Sequence, residues 1–89
     1  MLYDNFRMSC FANSKLWIMG SNINNVFGKR IAKLRKTQEI SQEELAFRCS
    51  IHRTYIGALE RGEKSPTLNT IEKLAKGLNA SMVELFKDL

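Results

Sequence analysis

Two side chains in this sequence have the reach to read another molecule, and they stand side by side at the start of a short helical pattern. Arg53 and Thr54 open the run RTYIGALE, whose buried side is expected to be Ile56 and Leu59. The residues left on the outer stripe are Arg53, Thr54, Gly57, Ala58 and Arg61, at i, i+1, i+4, i+5 and i+8. Small residues flanked by hydrogen-bonding side chains suit close approach to a surface. In a chain of net charge +5, the major groove of DNA is the leading candidate for that surface. Arginine can give two parallel hydrogen bonds to guanine O6 and N7, and threonine can offer its hydroxyl or pack its methyl on thymine. Ala58 has no polar reach and would touch a thymine methyl, while Gly57 would let the helix sit close.

The elements that would position these residues follow from caps and periodicity. Ser41 followed by Glu44 is a capping-box pattern that starts a helix at Gln42, with Leu45, Ala46 and Cys49 as its buried face. A break at Ser50-Ile51 separates it from the helix opened by His52-Arg53-Thr54, and Gly62 supplies a left-handed stop. The stretch 41–62 thus reads as helix, tight turn, helix. Gln42 lies in the first turn of the leading helix, where its amide, the free backbone N–H groups and the helix dipole could together hold a phosphate. Arg61, Lys64 and Ser65, at and just after the end of the second helix, are placed to meet the flanking DNA backbone. His52, the only histidine, has no second ligand at metal spacing, and a phosphate contact at the helix N-terminus is its expected role.

Around this pair the chain reads as helix throughout. A first helix from Asn24 or Asn25 to Thr37 would bury Phe27, Ile31 and Leu34, leaving Lys29, Arg30, Lys33 and Lys36 as a solvated basic face. After the polar loop containing Pro66, Thr67 caps a helix with Leu68, Ile71, Leu74, Ala75 and Leu78 at helical spacing, stopped at Asn79 or Gly77. Ser81 and Glu84 form a second capping box, whose helix reaches Leu89. It carries Met82, Val83, Leu85, Phe86 and Leu89, more apolar side chains than a small core needs. The surplus points to a self-complementary face and a homodimer. The expected fold class is all-α, a five-helix bundle over 23–89 with an N-terminal extension over 1–22.

Residues 1–22 hold Tyr3, Phe6, Phe11 and Trp17 without a sustained period. A short helix around Phe6–Trp17 is expected there, with Leu16, Trp17 and Ile18 needing cover from the domain or a second chain. Met19 could be a downstream start. Cys10 and Cys49 lack metal or redox spacing, and a buried thiol is expected at Cys49. No apolar run approaches a membrane span, and no signal-peptide pattern opens the chain, so a cytoplasmic setting is expected. No phosphate loop, nucleophile elbow or paired-carboxylate pattern is present. The sequence therefore gives no reason to expect an enzyme, a metal, a cofactor or a small-molecule ligand.

These features, in this order, resemble the helix-turn-helix regulators similar to phage repressors, the XRE family. The likeness rests on Arg35, Ser41-Gln42-Glu43-Glu44-Leu45-Ala46, Ile56, Leu59-Glu60-Arg61-Gly62, Pro66 and Leu74-Ala75. Within the family, Leu45-Ala46-Phe47, His52 to Gly57 and Glu60-Arg61-Gly62 look like the controllers of restriction–modification systems. The resemblance implies a homodimeric transcription regulator on a palindromic operator, with double-stranded DNA, a second copy and RNA polymerase as candidate partners. It implies a phosphate contact from the Tyr55 hydroxyl and a buried ion pair between Arg35 and Glu60 that clamps the first helix to the reading helix. The family often has glycine where Ser50 stands, so a left-handed serine there would cost about 1–2 kcal/mol. Two further readings stay open: a phage-type repressor of the same fold, and an antitoxin whose apolar N-terminal segment holds a toxin protein.

Overall fold

The computed structural model describes residues 22–89, and each helix in it begins at a side chain that accepts a hydrogen bond from the first turn. Asn22 caps α1 (Ile23–Thr37), Ser41 caps α2 (Gln42–Cys49), His52 caps α3 (Arg53–Glu60), Thr67 caps α4 (Leu68–Leu78) and Ser81 caps α5 (Met82–Phe86). Such caps satisfy backbone N–H groups that have no partner inside the helix. Two starts differ from expectation. α1 begins earlier, on Asn22 rather than Asn24 or Asn25, because the Asn22 side chain takes the Asn25 N–H at 2.9 Å. Among the described residues the full reciprocal capping box forms only at Ser81 and Glu84, where each side chain accepts the other's backbone N–H.

Two of the five described helices, α2 and α4, end on a residue with left-handed backbone. Ser50 ends α2 at φ 57°, ψ 42°, and Asn79, not Gly77, ends α4 at φ 53°, ψ 43°. Gly62 follows α3 with φ 82°, and a Cβ there would also strike the Asn25 side chain on α1. Gly77 has a different task. A Cβ at that position would collide with Cys49 Sγ, so the missing side chain lets α4 cross α2 closely.

One core runs through all five helices: Phe27 and Ile31 of α1, Leu45, Ala46 and Cys49 of α2, Ile56 and Leu59 of α3, Ile71, Leu74, Ala75 and Leu78 of α4, and Leu85 of α5. α2 packs on α3 and α4, α1 on α3 and α5, and α4 on α5. Burial pushes the Cys49 thiol up to about 11, so at neutral pH it stays a protonated, poorly reactive core group. Among the described residues no helix is long and apolar enough to cross a membrane.

Three expectations change. Leu68 lies in the first turn of α4 and is largely exposed, so the buried stripe of that helix starts at Ile71. α5 stops at Phe86 instead of reaching Leu89. Its end is held by Arg30, whose guanidinium donates to the carbonyls of Glu84 at 2.8 Å and Lys87 at 2.6 Å. Arg30 is therefore a clasp between α1 and α5, not part of a solvated face. The expected helix at Phe6–Trp17 and the cover for Leu16, Trp17 and Ile18 lie outside the described residues.

Candidate nucleic-acid interface

The α2–turn–α3 unit at 41–62 presents Arg53 and Thr54 on the exposed first turn of α3. The sequence folds this way because α3 has only two turns, and Ile56 and Leu59, both fully buried, fix which side faces inward. His52 fixes the start: its Nδ1 accepts the Thr54 N–H at 3.1 Å, which orders the turn carrying both candidate readers. Histidine is an uncommon cap, and nothing in the local pattern announced this role.

Ala58 is the expected base contact that the geometry does not support. It is only 6% exposed, shielded below its longer neighbours, and so has no methyl surface free for a thymine. Gly57 is buried too, with Arg61 Nη1 and Gln42 Oε1 lying over the place where its Cβ would be. The outer stripe is thus narrower than the sequence spacing suggests: Arg53, Thr54 and, one end further, Arg61.

The cluster beneath that stripe is electrostatic. Arg35 of α1 grips Glu60 at the end of α3 with Nε to Oε2 at 2.7 Å and Nη2 to Oε1 at 3.1 Å. Its remaining Nη1 donates to the Ile40 carbonyl at 2.9 Å. Gln42 adds a donor, Nε2 to Glu60 Oε1 at 2.9 Å. The expected phosphate contact through the Gln42 amide is therefore revised, because that amide nitrogen is committed to Glu60. What α2 offers a phosphate is its backbone. The Ser41 hydroxyl takes the Glu44 N–H at 3.0 Å, and no described residue accepts from the N–H groups of Gln42 or Glu43.

The remaining backbone candidates differ in how free they are. Arg61 is exposed but paired with Glu63, Nε to Oε2 at 2.8 Å and Nη2 to Oε1 at 3.2 Å. The Arg61 hydrogen bonds hold the Glu63 carboxyl below its ordinary value. An exposed pair of this kind is weak, so a phosphate can take Arg61 away from Glu63. Tyr55 is half-buried against the core, and the Lys64 ammonium lies 5.8 Å from its ring centroid. Lys64 and Ser65 are exposed in the loop after α3.

The five apolar residues expected at a dimer face separate into two groups. Leu85 is fully buried in this chain's own core and offers no surface, and Leu89 packs half-buried against the same core. Val83, 71% exposed, and the partly exposed Met82 and Phe86 remain as an apolar ridge. Phe86 is anchored from below by stacking on Phe27, with ring centroids 5.1 Å apart. Among the described residues no group of three His, Cys, Asp or Glu side chains could hold a metal ion.

A helix-turn-helix family model matches residues 31–85, which takes in α2, α3 and the helices that brace them. The chain belongs to that helix-turn-helix family. Within the family, it is 41% identical over 68 residues to control protein C.BamHI of Bacillus amyloliquefaciens, spanning 75% of this chain and 84% of that protein. It is 41% identical over 64 residues to control protein C.SmaI of Serratia marcescens, spanning 72% and 76%. The crystal structure of the restriction–modification controller protein C.AhdI from Aeromonas hydrophila matches with a TM-score of 0.66 and 43% identity, covering 67% of this chain and 91% of that one. The chain is thus similar to restriction–modification controllers in both sequence and fold.

Proposed function

We propose that this protein is a sequence-specific DNA-binding transcription regulator, a cytoplasmic homodimer that binds a palindromic operator and serves as the controller of a restriction–modification system. The observation that carries the reading is the exposed Arg53–Thr54 pair on a helix start held rigid from three sides. His52 caps it, Ile56 and Leu59 seat it on the core, and the Arg35–Glu60–Gln42 cluster ties its far end to α1 and α2. Held side chains at the N-terminal turn of such a helix can enter the major groove without first being ordered. Arg53 and Thr54 read bases. The free N–H groups at the start of α2, with Arg61, Lys64, Ser65 and the Tyr55 hydroxyl, hold phosphates. The Met82–Val83–Phe86 ridge pairs two copies so that two α3 helices reach half-sites about 34 Å apart.

In vitro transcription tests the reading, using RNA polymerase and the DNA upstream of the protein's own gene. The reading expects a retarded complex of two protomers per symmetric site and a changed transcript yield. Unchanged transcription with no symmetric site would contradict it.

A further inference from the structure

The recognition face does not stop at α3. Arg61 and Gln42, the two side chains lying over Gly57, also line a groove of about 690 Å³ between α1 and the α2–α3 unit. Its other wall is a row of lysines on α1, Lys29, Lys33 and Lys36. Spacings of four and three residues place all three on one face of the helix. None of the three forms an ion pair with a described residue. The one acid in the groove, Glu60, is already occupied by Arg35 and Gln42. Four cationic side chains therefore border a groove whose single carboxylate is neutralised from within.

We propose that this groove is a second DNA-backbone track, in which the α1 lysines hold phosphates of the strand flanking the one read by Arg53 and Thr54. Three observations carry it. The groove is continuous with the reading face through Arg61 and Gln42. Its charge is complementary to a phosphate strand. Gln42, the first residue of α2, lines the groove, so the N-terminal end of that helix, whose dipole favours an anion, borders the same path as the lysines. Such contacts set register and salt dependence and leave base preference unchanged. The proposal rests on the DNA-binding reading above and adds to it a place on the molecule that the recognition helix does not supply.

The test compares Lys33→Gln/Lys36→Gln with Lys73→Gln/Lys76→Gln on α4, a double substitution that removes the same charge from exposed positions outside the groove. Binding of the full chain to its selected duplex is measured across a series of salt concentrations. Each phosphate contact contributes about 0.9 to the slope of log K against log salt. With four contacts removed from each bound dimer, the groove variant is expected to lose about 3.6 from that slope, with weaker binding and an unchanged consensus. The α4 variant is expected to keep most of it. An unchanged slope in the groove variant, or an equal loss in the α4 variant, overturns the proposal and returns the lysines to a solvated face. Circular dichroism of both variants checks that the fold persists. The same measurement on an unrelated duplex separates this outcome from failure of the regulator reading, which shows as the absence of any consensus for the unaltered protein.

Discussion

Arg35 and Glu60, twenty-five residues apart in sequence, form a two-pronged ion pair whose side chains are only 12% and 7% exposed. The pair joins the last turn of α1 to the last residue of α3, and Gln42 closes it from α2. One cluster thus fixes the mutual angle of α1, α2 and α3.

Removing one partner should be far more costly than removing both. Arg35→Met leaves the Glu60 carboxylate buried with only the Gln42 amide beside it, and roughly 3–5 kcal/mol of stability should be lost. Replacing both partners with apolar residues of similar volume should recover a large part of that loss. Urea unfolding of the two variants measures the difference.

Ser50, like Glu39 and Asp88, takes left-handed backbone at a local cost. Its φ of 57° places a side chain in the left-handed region, so Ser50→Gly should raise stability by about 1 kcal/mol. Ser50 lies outside the reading face proposed for α3, so site preference should not change. Thermal unfolding and duplex binding of the single variant check both statements.

The His52 cap acts on Arg53 and Thr54 through the backbone of α3. His52→Ala should lose about 1 kcal/mol and weaken operator binding, because the first turn of α3 frays without a cap. His52→Asn keeps a capping acceptor and should restore both. Loss of binding in His52→Asn with stability intact would instead show that the imidazole itself touches DNA.

Val83 and Leu85 are neighbours with opposite fates. Val83→Asp should leave the fold standing and, on the proposal that the apolar ridge pairs two copies, shift the protein from dimer to monomer, since that side chain is exposed on the ridge. Leu85→Ala should cost about 2–5 kcal/mol and unfold the domain, since it opens a cavity in the core. Sedimentation velocity and calorimetry separate the two effects.

These contrasts mark what sequence patterning could and could not convey. Ser41, Thr67 and Ser81 cap their helices where their types and spacings put them, because a cap is a local event within four residues. The buried faces of α1 and α2 followed from the same short-range logic. Ala58 and Leu68 were misplaced because a two-turn helix, or the first turn of a longer one, samples too little of the helical period to fix its edges. Alanine, in addition, is at home on either side of such an edge. The clasp from Arg30 could not be read at all. Its acceptors are backbone carbonyls 54 and 57 residues away, and a carbonyl carries no sequence signal. The partner of the Gln42 amide is hidden from the sequence for a related reason: Glu60 becomes its neighbour only when α2 and α3 pack.

The most direct test of the central claim is selection of bound sites from random duplexes at one fixed salt concentration, with the unaltered protein and Arg53→Ala in parallel. Arg53 is expected to give a bidentate contact to guanine worth about 1–3 kcal/mol of discrimination. The unaltered protein should therefore yield a two-fold symmetric consensus. The variant should relax preference at one position in each half-site and keep the rest. Weak, salt-sensitive binding without a consensus, or identical consensus sequences from both proteins, would contradict major-groove reading by α3.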